Sequence, residues 1–270
     1  MTFNSAVLML PDSQTATLSI KSIDRTRRRV TLRIGQSKGV DLPDRLNLLP
    51  DFAINARPIP DAIATVATDQ CGAKANRAAD DLLARNPPRF HSGFTLPDGP
   101  DGDPVENLRN AVRAMNETVL PVQGPPGTGK TYVTARAILA LVRDGKRVGV
   151  ASNSHAAIRN VLMGCVDALE EGDLDITLED VEIAHKEGQG MDPLPDWYET
   201  IAAIKRNQDQ RLTGSHVVGG TAWLFSRPEL ADTFDYLFID EAGQVSLANL
   251  VGMSNAARNL VLVGDPCQLP

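Results

Sequence analysis

The sequence predicts an α/β protein built on a parallel sheet, with a small β-rich segment and a helical stretch ahead of it. Three observations carry this expectation. Short apolar runs recur between helical patterns after about residue 105, a glycine-rich loop joins one such run to a helix, and two alternating runs near the N-terminus flank a polar turn. Strands separated by helices and buried on both faces belong to parallel sheets. Alternation of apolar and polar residues belongs to sheets with one wet face.

Taken in order, Thr15-Ala16-Thr17-Leu18-Ser19-Ile20 alternates, as does Val30-Thr31-Leu32-Arg33-Ile34, with the polar stretch 24–29 between them. This reads as an antiparallel hairpin of a small barrel or sheet, and residues 1–57 are taken as that β-rich unit. Residues 61–85 read as a helix with Ala79, Leu82 and Leu83 on one face, stopped by Asn86-Pro87-Pro88. The stretch 91–104 holds three Gly and three Pro and reads as a loop, so 58–104 is a helical stalk and linker. In 105–270 the strands are 119–123, 147–151, 217–218, 236–239 and 260–263, and the helices 131–143 and 156–169.

Composition narrows the class. With 42% hydrophobic and 23% charged residues, the chain is neither a disordered tail nor a collagen-like repeat nor a coiled coil. No apolar run is long enough to span a membrane, and residues 1–10 lack the basic flank and cleavage pattern of a signal peptide. Cys71, Cys165 and Cys267 show neither metal-ligand nor disulfide spacing. A cytoplasmic protein without a membrane partner is the expectation. Net charge is −7, yet residues 1–57 carry nine Lys/Arg against five Asp/Glu, while 167–200 carry twelve acids against Lys186. One acidic stretch sets the sign for the whole chain, and local basic surface remains available to a nucleic acid.

The chemistry concentrates in Gly124-Pro125-Pro126-Gly127-Thr128-Gly129-Lys130-Thr131, which matches G-x-x-x-x-G-K-[ST] between a strand and a helix. Glycines let the backbone wrap phosphate oxygens with N–H groups pointing inward, and the helix N-terminus adds positive potential. Lys130 would face the β and γ phosphates of ATP, and the Thr131 hydroxyl would coordinate Mg²⁺. Tyr236-Leu237-Phe238-Ile239-Asp240-Glu241 delivers two carboxylates at the C-terminal end of an apolar strand, where ligands bind in open α/β sheets. Asp240 would hold Mg²⁺, largely through water, and Glu241 would orient and deprotonate the attacking water.

These two motifs, with Gly264-Asp265-Pro266-Cys267-Gln268-Leu269-Pro270, resemble motifs I, II and III of superfamily 1 helicases. Ala151-Ser152-Asn153-Ser154-His155 sits where that family has motif Ia, and 217–223 where it has a strand and a threonine that touch nucleic acid. The likeness is strongest to the helicase half of bacterial RecB-like putative nucleases. The hairpin and helical region more weakly resemble the barrel and stalk of the 5′-to-3′ branch. The resemblance implies a RecA-like phosphate-loop lobe that uses ATP and Mg²⁺, with Gln268 coupling phosphate state to single-stranded nucleic acid, DNA before RNA.

Departures from the family pattern shape these expectations. The family's adenine-reading glutamine falls at Asn107 or Leu108, and Cys267 stands where motif III usually carries Gln. No second RecA-like lobe with its arginine finger, and no nuclease carboxylate cluster, precedes Pro270, so the chain reads as a first lobe that alone is weakly active.

Other residues carry two readings each. Ser152, Asn153 and Ser154 are helix-capping residues or strand contacts; Thr221 and Trp223 touch and stack on nucleic acid, or Trp223 is core. His91, His185 and His216 read as structural, residues 25–29 as a solvated turn, and 167–200 as an exposed acidic insertion. Three functions compete: a nucleic-acid motor, an ATPase switch gating a nuclease without unwinding, and a nucleotide-binding scaffold.

Overall fold

The alternating N-terminal runs do form a hairpin. In the computed structural model, which describes residues 5–9, 15–24, 26–33, 47–50, 57–70, 77–97, 102–125, 127–172, 174–188, 195 and 198–265, strand β2 (Thr15–Asp24) pairs antiparallel with β3 (Arg29–Arg33). The turn between them is closed by the Arg27 amide donating to Asp24 Oδ1 at 2.9 Å, and Arg27, Arg28 and Arg29 are exposed. With β1 (Ser5–Met9) and β4 (Asn47–Pro50) these strands make a four-stranded antiparallel sheet in the order β3-β2-β1-β4. It lies in the first of two compact units, Met1–Asn55; the second is Ala56–Pro270.

The second unit holds seven strands, all parallel, in the order β5-β11-β10-β6-β9-β7-β8. They are β5 (Val119–Gln123), β6 (Val148–Ala151), β7 (Ile183–Lys186), β8 (Ile201–Ile204), β9 (Val217–Gly220), β10 (Phe234–Ile239) and β11 (Ala257–Gly264). The expected parallel α/β sheet is present, and β10 shows why its strands read as unbroken apolar runs. Tyr236 and Phe238 point to one core, Phe234, Leu237 and Ile239 to the other, so neither face meets water.

Helices α3 (Pro104–Ala114), α4 (Lys130–Arg143) and α5 (His155–Glu170) supply residues to the first core. Helices α1 (Pro58–Gln70), α2 (Arg77–Ala84), α7 (Ala222–Phe225) and α8 (Leu247–Ser254) serve the second, where α1, α2 and α7 all pack on α8. A one-turn helix, α6 (Arg211–Gly214), precedes β9. Helix starts follow their capping residues: Asp103 accepts from the Val105 amide at 2.9 Å with Pro104 at the first turn, and Ser246 accepts from Asn249 at 3.2 Å.

Two expectations are corrected. The helical pattern at 61–85 comprises two helices, α1 and α2, and each supplies a residue to both packing sites: Ile59 and Ala78 lie in the second core, while Val66 and Ala79 meet Val251 of α8. The acidic stretch 167–200 is not simply an exposed insertion. Its acids flank Val181, Ile183 and Ala184, which are buried, and β7 enters the sheet between β9 and β8. An apolar core of three or four residues is enough to make a strand, and net charge hides it.

Candidate functional site

Every motif lies where a strand of the second unit ends. The phosphate loop follows β5, Gly264 closes β11, Asp240 and Glu241 follow β10, 152–154 follow β6, and Thr221 follows β9. Because all seven strands are parallel, these ends share one edge of the sheet, and β5, β11, β10 and β6 are consecutive there.

The loop has the shape its glycines allow. Gly127 and Gly129 both take φ of 78°, in the left-handed region, and Gly129 is the residue that opens α4. At Gly124 a Cβ would stand 2.8 Å from Thr128 Oγ1 and 3.1 Å from Lys130 Cγ, so only glycine fits beneath the lysine stem. Thr128 Oγ1 donates to the Pro125 carbonyl at 2.8 Å. The Lys130 amine donates to the carbonyls of Gly124 and Pro125, the latter at 2.9 Å, which holds it folded across the loop. Thr131 lies in the first turn of α4, half-buried. Pro126 lies outside the described residues.

Gly264 joins the loop to the carboxylates. Its carbonyl accepts from the Gly124 amide at 3.2 Å, and a Cβ on it would crowd the amides of Ala242 and Gly243 at 3.3 Å. Asp265 is half-buried; Gln268 and Cys267 lie outside the described residues.

Asp240 is held by its own amide donating to the Ala151 carbonyl at 2.8 Å. Burial pushes its carboxyl above the usual range; a hydrogen bond from the Glu241 backbone counters this, the Glu241 charge adds to it, and Lys130 opposes it. Glu241 takes φ 52° and ψ 39°, a left-handed conformation that costs a non-glycine residue about 1–3 kcal/mol and persists only where surroundings enforce it. The 3₁₀ turn Ala242–Gln244 follows directly.

The nucleic-acid candidates separate. Ser154 Oγ accepts from the Ala157 amide at 3.1 Å and caps α5, the bland one of its two readings. Ser152 is buried, with its Oγ lacking a hydrogen-bond partner. The Asn153 side chain donates to the Gln244 carbonyl. Thr221 stands at the start of α7 without a side-chain cap bond, and Trp223 is 39% exposed, so Trp223 is not core.

Some features of this edge have no local signal in the sequence. A cavity of about 490 Å³ flanks the phosphate loop, walled by Leu96, Pro97, Asn107, Leu108, Ala111 and Val133. Its wall joins the loop before α3 to α3, β5 and α4, elements whose meeting only the fold decides. At the end of β7, His185 is fully buried with Nε2 3.1 Å from His155 Nδ1; burial first, then His155 and neighbouring cations, push its pKa down to about 3. Beside it Arg159 pairs with Glu187 at 3.0 Å, and burial, then Arg227, hold the Lys186 amine below its ordinary value. Among the described residues no group of three or more His, Cys, Asp or Glu is arranged to hold a metal by itself, and no helix is long and apolar enough to cross a membrane.

Comparison with known proteins agrees with the motifs. Residues 180–270 match the family AAA_11, an AAA domain. The chain is 32% identical over 157 residues to the DNA replication ATP-dependent helicase/nuclease DNA2 of Saccharomyces cerevisiae, covering 55% of this chain and 10% of that protein. It is 29% identical over 203 residues to the DNA replication ATP-dependent helicase/nuclease JHS1 of Arabidopsis thaliana, covering 70% and 14%. The chain therefore spans only 10–14% of the length of these curated relatives. Among solved structures, the UvsW helicase from bacteriophage T4 is similar at TM-score 0.40 and 13% identity, over 80% of this chain and 72% of that one. The motifs, the matched AAA domain and the helicase/nuclease relatives agree in a likeness to a superfamily 1 helicase-type ATPase lobe.

Proposed function

We propose that this chain is the ATP-binding and ATP-hydrolysing first lobe of a superfamily 1 motor that couples hydrolysis to movement along, or unwinding of, DNA. The observation that carries the reading is the meeting of three motifs on consecutive strands: the loop after β5, Gly264 on β11, and Asp240-Glu241 after β10.

The residues present fit Mg·ATP. A cradle that a Cβ at Gly124 would fill lies under Lys130, whose amine rests on backbone carbonyls of its own loop and is free to exchange them for phosphate oxygens. The loop amides of Gly127 to Lys130 and the Lys130 amine bind the β and γ phosphates. The Thr131 hydroxyl and the Asp240 carboxylate would hold Mg²⁺, which would supply positive charge against the phosphates. Glu241 orients a water in line with the γ phosphorus and accepts its proton as the bond to the β-side oxygen breaks, leaving ADP and phosphate. The cavity beside the loop takes the base, with the Asn107 amide on its wall. Gln268 senses the γ phosphate and relays its loss to the nucleic-acid contacts.

On the same edge, Thr221 and the exposed Trp223 face a single strand, with Ser152, Asn153 and Ser154 in the adjoining loop. DNA as the nucleic acid, and a nuclease working alongside, are supported by relatives named DNA replication helicase/nucleases. A second RecA-like lobe supplying an arginine to the cleft follows from the superfamily 1 likeness.

The test is Glu241→Gln, assayed with a fluorescent ATP analogue and by phosphate release, with and without single-stranded DNA. Nucleotide binding is expected to persist while hydrolysis falls by about 10²-fold. Loss of binding and hydrolysis together would make Glu241 a structural residue. Hydrolysis by the unaltered protein that single-stranded DNA fails to stimulate would reduce the function to a nucleotide switch.

A further inference from the structure

The loop leaving β6 and the loop leaving β10 are tied by one side chain. These strands are parallel neighbours with Ala151 opposite Ile239, and the Asp240 amide extends their ladder by one bond to the Ala151 carbonyl. Beyond that bond the chains part, one into α5 and the other into the 3₁₀ turn Ala242–Gln244. Across the gap, Asn153 Nδ2 donates to the Gln244 carbonyl. The Gln244 amide donates in turn to the Glu241 carbonyl at 2.9 Å, closing the turn that begins at the left-handed Glu241. Because the acceptor is a carbonyl, the amide nitrogen must face it, and an aspartate in the same place has no proton to give.

We infer that Asn153 is a positioning residue. Acting through Gln244, it holds Glu241 in the orientation that hydrolysis requires, and it makes that orientation answer to whatever binds the 152–155 loop. Its donor is committed to Gln244, so a DNA strand touching this loop shifts Asn153 and reaches Glu241 through two hydrogen bonds. Glu241 needs such a hold, because its backbone occupies a region that a non-glycine residue leaves when released. The inference rests on Glu241 being the general base.

The experiment uses the full chain with Asn153→Asp, Asn153→Gln and Glu241→Gln, singly and with the first and last combined. Hydrogen exchange at the Gln244 and Val245 amides is expected to quicken in Asn153→Asp and to stay slower in Asn153→Gln, which keeps the donor. Unchanged exchange in Asn153→Asp overturns the tie, whether or not the protein hydrolyses ATP; absence of hydrolysis in the unaltered protein speaks against the proposed function instead. For hydrolysis, Asn153→Asp is expected to lower kcat by about tenfold or more, with KM for ATP held within about twofold. On the Glu241→Gln background it should add no further loss. A fully additive loss, or weakened DNA affinity with kcat intact, would make Asn153 a strand contact and overturn the inference.

Discussion

The two ends of the seven-stranded sheet treat polar side chains in opposite ways. At the end where strands begin, Asp81 of α2 is buried and its carboxylate accepts from Arg89 at 2.5 Å, Thr118 Oγ1 at 2.6 Å and Asn86 at 3.1 Å. Thr118 and Asn259 then lock β5 to β11, the Thr118 amide donating to Asn259 Oδ1 at 3.2 Å. Arg147 does the same for β6, β9 and β10, donating to the carbonyls of Thr233 at 2.9 Å and Ser215 at 3.4 Å. At the end where strands finish, Lys130 rests on carbonyls of its own loop, Ser152 Oγ is buried without a partner, and Glu241 sits in a strained conformation. One end spends its polar groups joining elements that are distant in sequence. The other also has such ties, Asn153 to Gln244 among them, yet it leaves Lys130 on its own loop and Ser152 Oγ without a partner. Both ends carry charge, so charge alone does not distinguish a staple from a site; the partners do.

Each substitution below probes that contrast. The largest effect is expected from Lys130→Ala, which should cut ATP turnover by about 10³-fold while leaving the urea midpoint unmoved, since its amine ties no second element. A stability loss with turnover intact would place the loop on the structural side. Next comes Asp81→Ala at the opposite end. With its carboxylate fully buried and Arg89 32% exposed, equilibrium denaturation should show a loss of about 3 kcal/mol, and the affinity of the folded fraction for an ATP analogue should not change.

Trp223→Ala is expected to weaken single-stranded DNA binding by about 1–3 kcal/mol in an anisotropy titration, with thermal stability preserved because the ring is 39% exposed. A collapse of stability would erase the difference between the two ends at this position. The smallest effect belongs to Ser154→Ala. Loss of the cap on α5 should cost about 1 kcal/mol of stability without touching DNA affinity. If DNA affinity falls and stability holds, the hydroxyl is used by the strand after all.

Much of this unit was legible in advance where the signal is short-range. The phosphate loop announces itself in eight consecutive residues, and β5 and the helix after it lie within a residue of where the apolar pattern sets them. Ser154 is a case of two local readings with equal claim, and the bond from the Ala157 amide shows the capping one in place. Elsewhere the local pattern misled. The run 61–85 looks like one helix because both its halves are Ala-rich, and nothing in the spacing shows that two helices pack there on the same neighbour, α8. The stretch 167–200 looks solvated because its acids outnumber the four residues of β7 that enter the sheet. Helix α3 is masked in the sequence by the glycine- and proline-rich loop before it, although Asp103-Pro104 is a strong start signal.

By itself, then, the sequence determined the fold class and placed the glycine-rich loop and the acidic pair at strand ends, because each is written in residues that are neighbours along the chain. Tertiary structure decided which polar groups became staples and which stayed open. Thr118 meets Asn259 across 141 residues, Arg147 meets Thr233 across 86, and Asn153 meets Gln244 across 91. Hydrophobic periodicity fixes which face of an element is buried, but it carries no information about which distant element arrives there. Only the strand order, which places β6 beside β10 and β11 beside β5, brings those donors within reach of those acceptors.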